Sequence, residues 1–328
     1  MKDLITDKIF RFPDVHSFNE QVLEIFHLQY RHNPVYRNYV NQLGIKLSSI
    51  HAPEQIPFLP IEFYKSQGVI WENQEPELVF ESSGTSGSIP SKHFVADANL
   101  YKQSFTRCFE LVFGDPRQYC ILALLPSYLE RGNSSLVYML NELIQMTGDS
   151  DSGFFLDQFN VLVQTLEKVY PEKKIILIGV TFALLDLVES QKLDFPDLIV
   201  METGGMKGRR VELIREDLHE VLCKGFGVQQ IHSEYGMTEL LSQAYSRVDG
   251  RFSTAPWMQV MVRDLHDPLS YLPIGKTGPL NIIDLANLYS CSFIATQDLG
   301  RINPDGTFEV LGRVDDSDVR GCNLLVSI

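Results

Sequence analysis

Apolar residues in "SFNEQVLEIFHLQYRHNPVYRNYVNQL" (17–43) recur at helical spacing, with Phe18, Val22, Ile25, Phe26 and Leu28 on one face and Ser17 placed as an N-cap. Pro53, Pro57 and Pro60 then predict a rigid, extended connector. Beyond residue 76 the pattern changes. "QYCILALLP" (118–126), "KKIILIGV" (173–180) and "DLIVMETGG" (197–205) are continuous apolar runs, the mark of strands buried on both faces, and "VQQIHSEYG" (228–236) reads as a further strand. Between them, "DANLYKQSFTRCFELVFG", "SSLVYMLNELIQMTG", "TFALLDLVESQ" and "REDLHEVLCKGFG" have helical periodicity. Such alternation predicts right-handed crossovers and a parallel sheet covered by helices. After about residue 250, short segments broken at Gly250, Pro268, Gly275, Gly278 and Asp305-Gly306 predict a smaller, β-rich portion. The expected class is α/β, with a helical segment and connector over 1–75, an α/β core over 76–250, a β-rich subdomain over 251–313 and a tail over 314–328.

Composition narrows the function classes. A chain of 328 residues with 44% hydrophobic and 21% charged residues has the makings of a large folded core. Its formal charge of −14 disfavours nucleic acid or an anionic membrane as partner. The amino-terminal stretch carries Asp3, Asp7 and Asp14 and lacks the apolar core of a signal peptide. The longest apolar run, 175–188, is interrupted by Gly179 and Asp186 and is too short to span a bilayer. Five dispersed cysteines without a C-x-x-C pair fit free thiols in a reducing cytoplasm.

Candidate chemistry clusters at the strand ends. In "ESSGTSGS" (81–88), Gly84 and Gly87 free the backbone to approach a ligand, and Ser82, Ser83, Thr85 and Ser86 add hydroxyls, a composition that can wrap phosphate oxygens. A surface turn is the structural alternative, and no Walker lysine follows. Gly204 and Gly205 end a strand and leave room for a flat ring, or simply make a turn. In "HSEYGMTEL" (232–240), Tyr235 and Gly236 precede Thr238, a hydroxyl for a phosphate, and Glu239, a hard oxygen ligand for Mg²⁺. Alternatively, Glu239 is a first-turn acid answering a helix dipole. Asp298 in "ATQDLGRI" can take two ribose hydroxyls, and Arg313 in "LGRVDD" a ribose or phosphate oxygen. Each can equally be a charged turn residue.

Taken in order, the hydroxyl-Gly loop, the Gly-Gly strand end, Y-G-x-T-E, D-x-G-R and G-R-x-D-D resemble the adenylate-forming superfamily over about residues 80–322. Within it the chain is most similar to the acyl-protein synthetases of the bacterial luminescence fatty-acid reductase system, with phenylacetate-CoA ligases as cousins. "LLPSYLERGNSSLVYML" and "VRGCNLL" carry that likeness. The resemblance implies ATP and Mg²⁺ as cofactors. It puts Ser82–Ser88 at the pyrophosphate end of ATP, Gly204, Gly205 and Tyr235 by the adenine, Thr238 at the α-phosphate, Glu239 on Mg²⁺, Asp298 on the ribose, and Arg313 at ribose or phosphate. Other members of the superfamily continue past G-R-x-D-D into a lid domain that brings a lysine. The sequence ends at Ile328, so the expectation is a large domain without that lid, with Lys92 as the candidate substitute cation.

The same resemblance implies an acyl group carried on a cysteine near the carboxyl terminus, and Cys322 stands there, with Arg320 to favour its thiolate. Six residues separate it from Asp316, a reach of roughly 20 Å. The expected activity is ATP-dependent conversion of an apolar carboxylic acid to an acyl-adenylate, then transfer to a thiol, with an acyl-accepting or reductase protein as partner. Transfer to coenzyme A or a carrier protein is an alternative, as are a nucleotide-binding subunit without turnover and, for Cys322, burial in a terminal strand.

Overall fold

The amino-terminal periodicity folds as two helices, α1 (Val15–His32) and α2 (Pro34–Gln42). Asp14 caps α1 in place of the expected Ser17. Its carboxylate accepts from the Ser17 N–H at 2.8 Å, and the Ser17 hydroxyl lies 3.3 Å from the Asp14 N–H, closing a capping box. An ionised carboxylate is the stronger acceptor, which places Ser17 at the third helical position. Phe18, Val22, Ile25 and Phe26 are buried as expected, but Leu28 yields its place to the buried Gln29.

In the computed structural model, residues 6, 8–11, 14–82, 89–125, 133–170, 172–204 and 213–314 are described. They group into two units. An α/β unit holds the described residues of 79–92 and 98–253; a β unit holds those up to 78, 93–97, and from 254 onward.

Along the chain come β1 (Leu59–Pro60), β2 (Leu78–Glu81), β3 (Lys92–Val95) and α3 (Ala98–Phe113). The α/β unit then continues through β4 (Tyr119–Leu124), α4 (Ser135–Thr147), β5 (Gly153–Phe154), α5 (Phe159–Val169) and β6 (Lys174–Val180). Next are α6 (Thr181–Ser190), β7 (Ile199–Thr203), α7 (Arg215–Phe226) and β8 (His232–Tyr235). β5, β4, β6, β7 and β8 lie side by side, all parallel. In β4 and β6 only the first residue escapes burial, which accounts for their unbroken apolar sequence. The sequence pattern did not foresee the next step. After β8 the chain turns through 236–243 and returns as β9 (Ala244–Ser246), antiparallel to β8, followed by β10 (Phe252–Ser253) against β9.

In the β unit, β11 (Met258–Val262), β12 (Gly278–Asp284), β13 (Phe293–Ile302) and β14 (Phe308–Arg313) form an antiparallel run, as the turn-rich sequence suggested. β1 adds in parallel to β13, pairing Leu59 with Ile294. The link between β12 and β13, residues 285–292, is buried throughout, which is unusual for a loop because its backbone groups lose water. Two side chains and one backbone amide from elsewhere in this unit answer them. Gln29 Nε2 donates to Leu288 O at 2.7 Å, Asn33 Nδ2 to Ser290 O at 2.7 Å, and the Trp71 N–H to Tyr289 O at 2.9 Å. Trp71 Nε1 in turn donates to Gln29 Oε1 at 3.2 Å.

Replacing Gln29 with Ala strands both the Leu288 carbonyl and the Trp71 indole. The expected cost is about 2–4 kcal/mol, seen as a lower denaturation midpoint of the full chain with an unchanged slope.

Candidate active site

The base of the hydroxyl-rich loop is held at its described ends. The Ser82 N–H donates to Ser91 O at 3.0 Å, and the Ser91 N–H donates to Ser82 Oγ at 2.9 Å. Phe80, buried on the preceding strand, sets its ring edge-on to Tyr101 at 5.4 Å and to Tyr138 at 5.7 Å. Lys92 pairs with Glu81 at 3.0 Å; both side chains are substantially exposed, so this pair is worth little and leaves the ammonium free to swing toward an anion. Ser83, Gly84, Thr85, Ser86 and Gly87 lie outside the described residues.

The carboxyl ends of β7 and β8 carry most of the remaining candidates. In open parallel sheets this edge is where ligands bind, because the strand ends expose the backbone there while the faces are covered by helices. Gly204 follows β7 with φ +68°, and a Cβ built on it would meet no atom of the described residues within 4 Å. Its carbonyl is fixed by Thr181 Oγ1, which donates at 2.6 Å. Gly205 lies outside the described residues. Tyr235 ends β8 with its ring buried and 5.7 Å from Phe252, whose face is covered by the Arg215 guanidinium at 5.2 Å. Gly236 is exposed, Thr238 is half-buried and Glu239 is 94% buried in the turn that leads to β9. The helix dipole invoked as the bland explanation of Glu239 is absent, since a turn and not a helix follows β8.

Asp298 and Arg313 belong to the β unit. They are Cα partners across β13 and β14, and Arg313 Nε donates to Asp298 Oδ1 at 3.1 Å. Asp298 is buried while the arginine side chain is 71% exposed, so the carboxylate is fixed and the cation keeps solvent-facing donors. Cys322 lies outside the described residues.

Several polar groups at this edge were assigned no role from the sequence. Glu202 on β7 is buried, with Thr181 Oγ1 3.3 Å from one oxygen and His219 Nε2 and Arg215 Nε at 3.8 and 4.0 Å from the other. Its register partner Ser233 is fully buried, and its Oγ has no hydrogen-bond partner among the described residues. Glu234, buried on β8, accepts from Thr203 Oγ1 at 2.5 Å. Burial pushes this carboxyl up to about 7 against the pull of that hydrogen bond, with Glu202 adding repulsion. The signal for all of them was a charged or hydroxylated residue inside an apolar strand. His232, by contrast, is driven down to about 4, by burial first and then by Arg247 and His219, which keeps it neutral near pH 7.

These residues fit a nucleotide and a hard cation in character. Gly204 at the end of β7 is exposed and can lie against a flat ring, and Glu239 offers one carboxylate. Among the described residues no group of three or more His, Cys, Asp or Glu forms a metal cage. Mg²⁺ beside a phosphate chain needs no such cage, because phosphate and water supply most of its oxygens.

This fold recurs in acid-activating ligases. An open conformation of 2-hydroxyisobutyryl-CoA ligase in complex with 2-HIB-AMP and CoA matches 94% of this chain and 78% of its own, at TM-score 0.66 and 14% identity. ATP-bound MatB from Rhodopseudomonas palustris matches 72% of this chain at TM-score 0.54 and 17% identity. A long-chain-fatty-acid-CoA ligase, FadD1, from Archaeoglobus fulgidus does so at TM-score 0.54 and 19% identity. The chain spans 47% of the MatB length and 51% of the FadD1 length. It therefore has the α/β fold of the adenylate-forming ligases. The family model of the acyl-protein synthetases, LuxE, matches residues 14–328, and the chain belongs to that family. No curated protein matches it in sequence. Among the described residues no helix is long and apolar enough to cross a membrane.

The elevated Glu234 carboxyl makes a signed prediction. Because its folded value of about 7 exceeds the ordinary 4.5, the folded protein holds a proton that the unfolded chain has released between those limits. Stability from this group is full below pH 4.5 and falls as pH rises to 7, by about 3 kcal/mol in all. Glu234→Gln removes the loss, so the variant's melting temperature should gain on the wild type from pH 4.5 to 7 and run parallel above it.

Proposed function

We propose that the protein activates an apolar carboxylic acid with ATP and passes the acyl group to a thiol, Cys322 being the acceptor on this chain. The observation that carries this is the acyl-protein synthetase match over residues 14–328, which contains every motif residue named above. The Y-G-x-T-E turn at the carboxyl edge of the parallel sheet supports it.

In the proposed reaction an oxygen of the substrate carboxylate attacks the α-phosphorus, the bond to the β-phosphate oxygen breaks, and pyrophosphate leaves. The hydroxyl-Gly loop binds the departing end through N–H and hydroxyl groups, Thr238 donates to an α-phosphate oxygen, and Lys92 leaves Glu81 to offset the growing charge. Glu239 would hold Mg²⁺, which when bound neutralises phosphate charge. Asp298 takes the ribose hydroxyls and Arg313 a ribose or phosphate oxygen; Gly204, Gly205, Tyr235 and Gly236 border the base. The Cys322 thiolate then attacks the acyl carbon and AMP departs, leaving a thioester for a reductase or other acyl-accepting partner.

The remaining cysteines support Cys322 by their surroundings. Burial pushes Cys120 up to about 11 and Cys291 to about 12, and raises Cys223 as well, while Cys108 is buried. A thiol held protonated is a poor nucleophile.

Acid-dependent exchange of pyrophosphate into ATP tests the first half. A graded panel of fatty and aryl acids should give exchange, and Glu239→Gln should lower it about a hundredfold or more; a silent wild type across the panel refutes the proposal. Cys322→Ser should abolish hydroxylamine-sensitive acyl labelling while exchange persists. Labelling that survives, or stoichiometric use of coenzyme A, assigns the acceptor elsewhere.

A further inference from the structure

Glu234 is a buried carboxyl group in a place where a parallel strand needs none. Among the described residues no cation pairs with it. Its one hydrogen bond is Thr203 Oγ1 to Oε2 at 2.5 Å. The groups facing it are acidic or weakly acidic on every element packed against it: Glu202 from β7, Tyr101 and, beyond it, Cys108 from α3, and Tyr245 from β9. Its other oxygen, Oε1, occupies space that a side chain on Gly236 would need, 2.5 Å from the position of a Cβ there. The carboxyl is thus wedged between the end of β7 and the first residue of the turn that carries Thr238 and Glu239.

We propose that Glu234 is a positioning residue for this turn: its neutral carboxyl, braced between Thr203 and Gly236, sets the placement of Thr238 and Glu239, and loss of its proton releases them. The physics follows from the surroundings. An ionised carboxylate here gains no cation among the described residues and is repelled by Glu202, so it relaxes toward water. Gly236, against which Oε1 lies, is exposed, and a carboxylate moving past it toward water would shift the residues two and three positions further on. A carboxyl pushed up to about 7 makes this change within the ordinary working range of pH.

The effect on turnover rests on the acid-activating function proposed above, so the test has a part independent of it. With ¹³C-labelled glutamate and ¹⁵N-labelled glycine and threonine, the Glu234 carboxyl and the Gly236 and Thr238 amides are followed from pH 5.5 to 8.5 in the full chain. The expected result is one shared midpoint near 7 in the wild type and flat amide shifts in Glu234→Gln, whose amide preserves shape and neutrality. Amides that do not follow the carboxyl, or that titrate unchanged in Glu234→Gln, overturn the proposal. Should Glu234→Gln not fold, the wild-type comparison of carboxyl and amide midpoints decides alone. In exchange assays kcat/KM for ATP should fall about tenfold per pH unit above the midpoint in the wild type relative to Glu234→Gln; parallel profiles overturn it too. A wild type with no exchange but shared midpoints retires the enzymatic function and leaves the coupling of carboxyl and turn intact.

Discussion

A strand buried on both faces has only its ends to offer a ligand. In β4 and β6 apolar side chains fill both sides, and helices shut out water, so neither face can present a polar group without an unpaired partner. Such strands can present polar groups only at their ends, and Thr181, Gly204 and the turn 236–239 lie at the carboxyl edge. The same constraint explains the state of Glu202 and Glu234. They sit where the dry interior meets the edge, deep enough to be desolvated and close enough to the turn to matter.

The architecture was legible because its cause is local. Unbroken apolar runs announced β4, β6 and β7, and helices α3, α4 and α7 stop at glycines with positive φ, Gly114, Gly148 and Gly227, as the sequence suggested. What escaped were features set by pairing at a distance. The three-residue strand β9 has no periodicity to show, and its antiparallel return against β8 is fixed by register, Tyr235 against Ala244, which no stretch of sequence contains. The N-cap of α1 slipped from Ser17 to Asp14 because two acceptors three residues apart compete, and the pattern of apolar residues cannot rank them.

The candidate site divides along the same line. Motif residues on turns, such as Gly204, Thr238 and Glu239, were visible because turn composition is itself a signal. Glu234 and Thr203 were assigned no role there, since a charged residue inside a strand reads as a lapse in the pattern. Only the register of β7 against β8, which sets Thr203 opposite Glu234, turns that lapse into a hydrogen-bonded pair. Asp298 and Arg313 lie fifteen positions apart, and the hairpin of β13 and β14 makes them direct partners. Their pairing gives the buried Asp298 carboxylate a fixed orientation.

Thiol placement follows from the same contrast between interior and edge. Cys120 lies on the buried strand β4 and Cys291 in the sealed loop between β12 and β13, and both are held protonated by the apolar packing that stabilises their units. A fold built this way cannot draw a nucleophilic sulfur from its core without exposing the strands that form it.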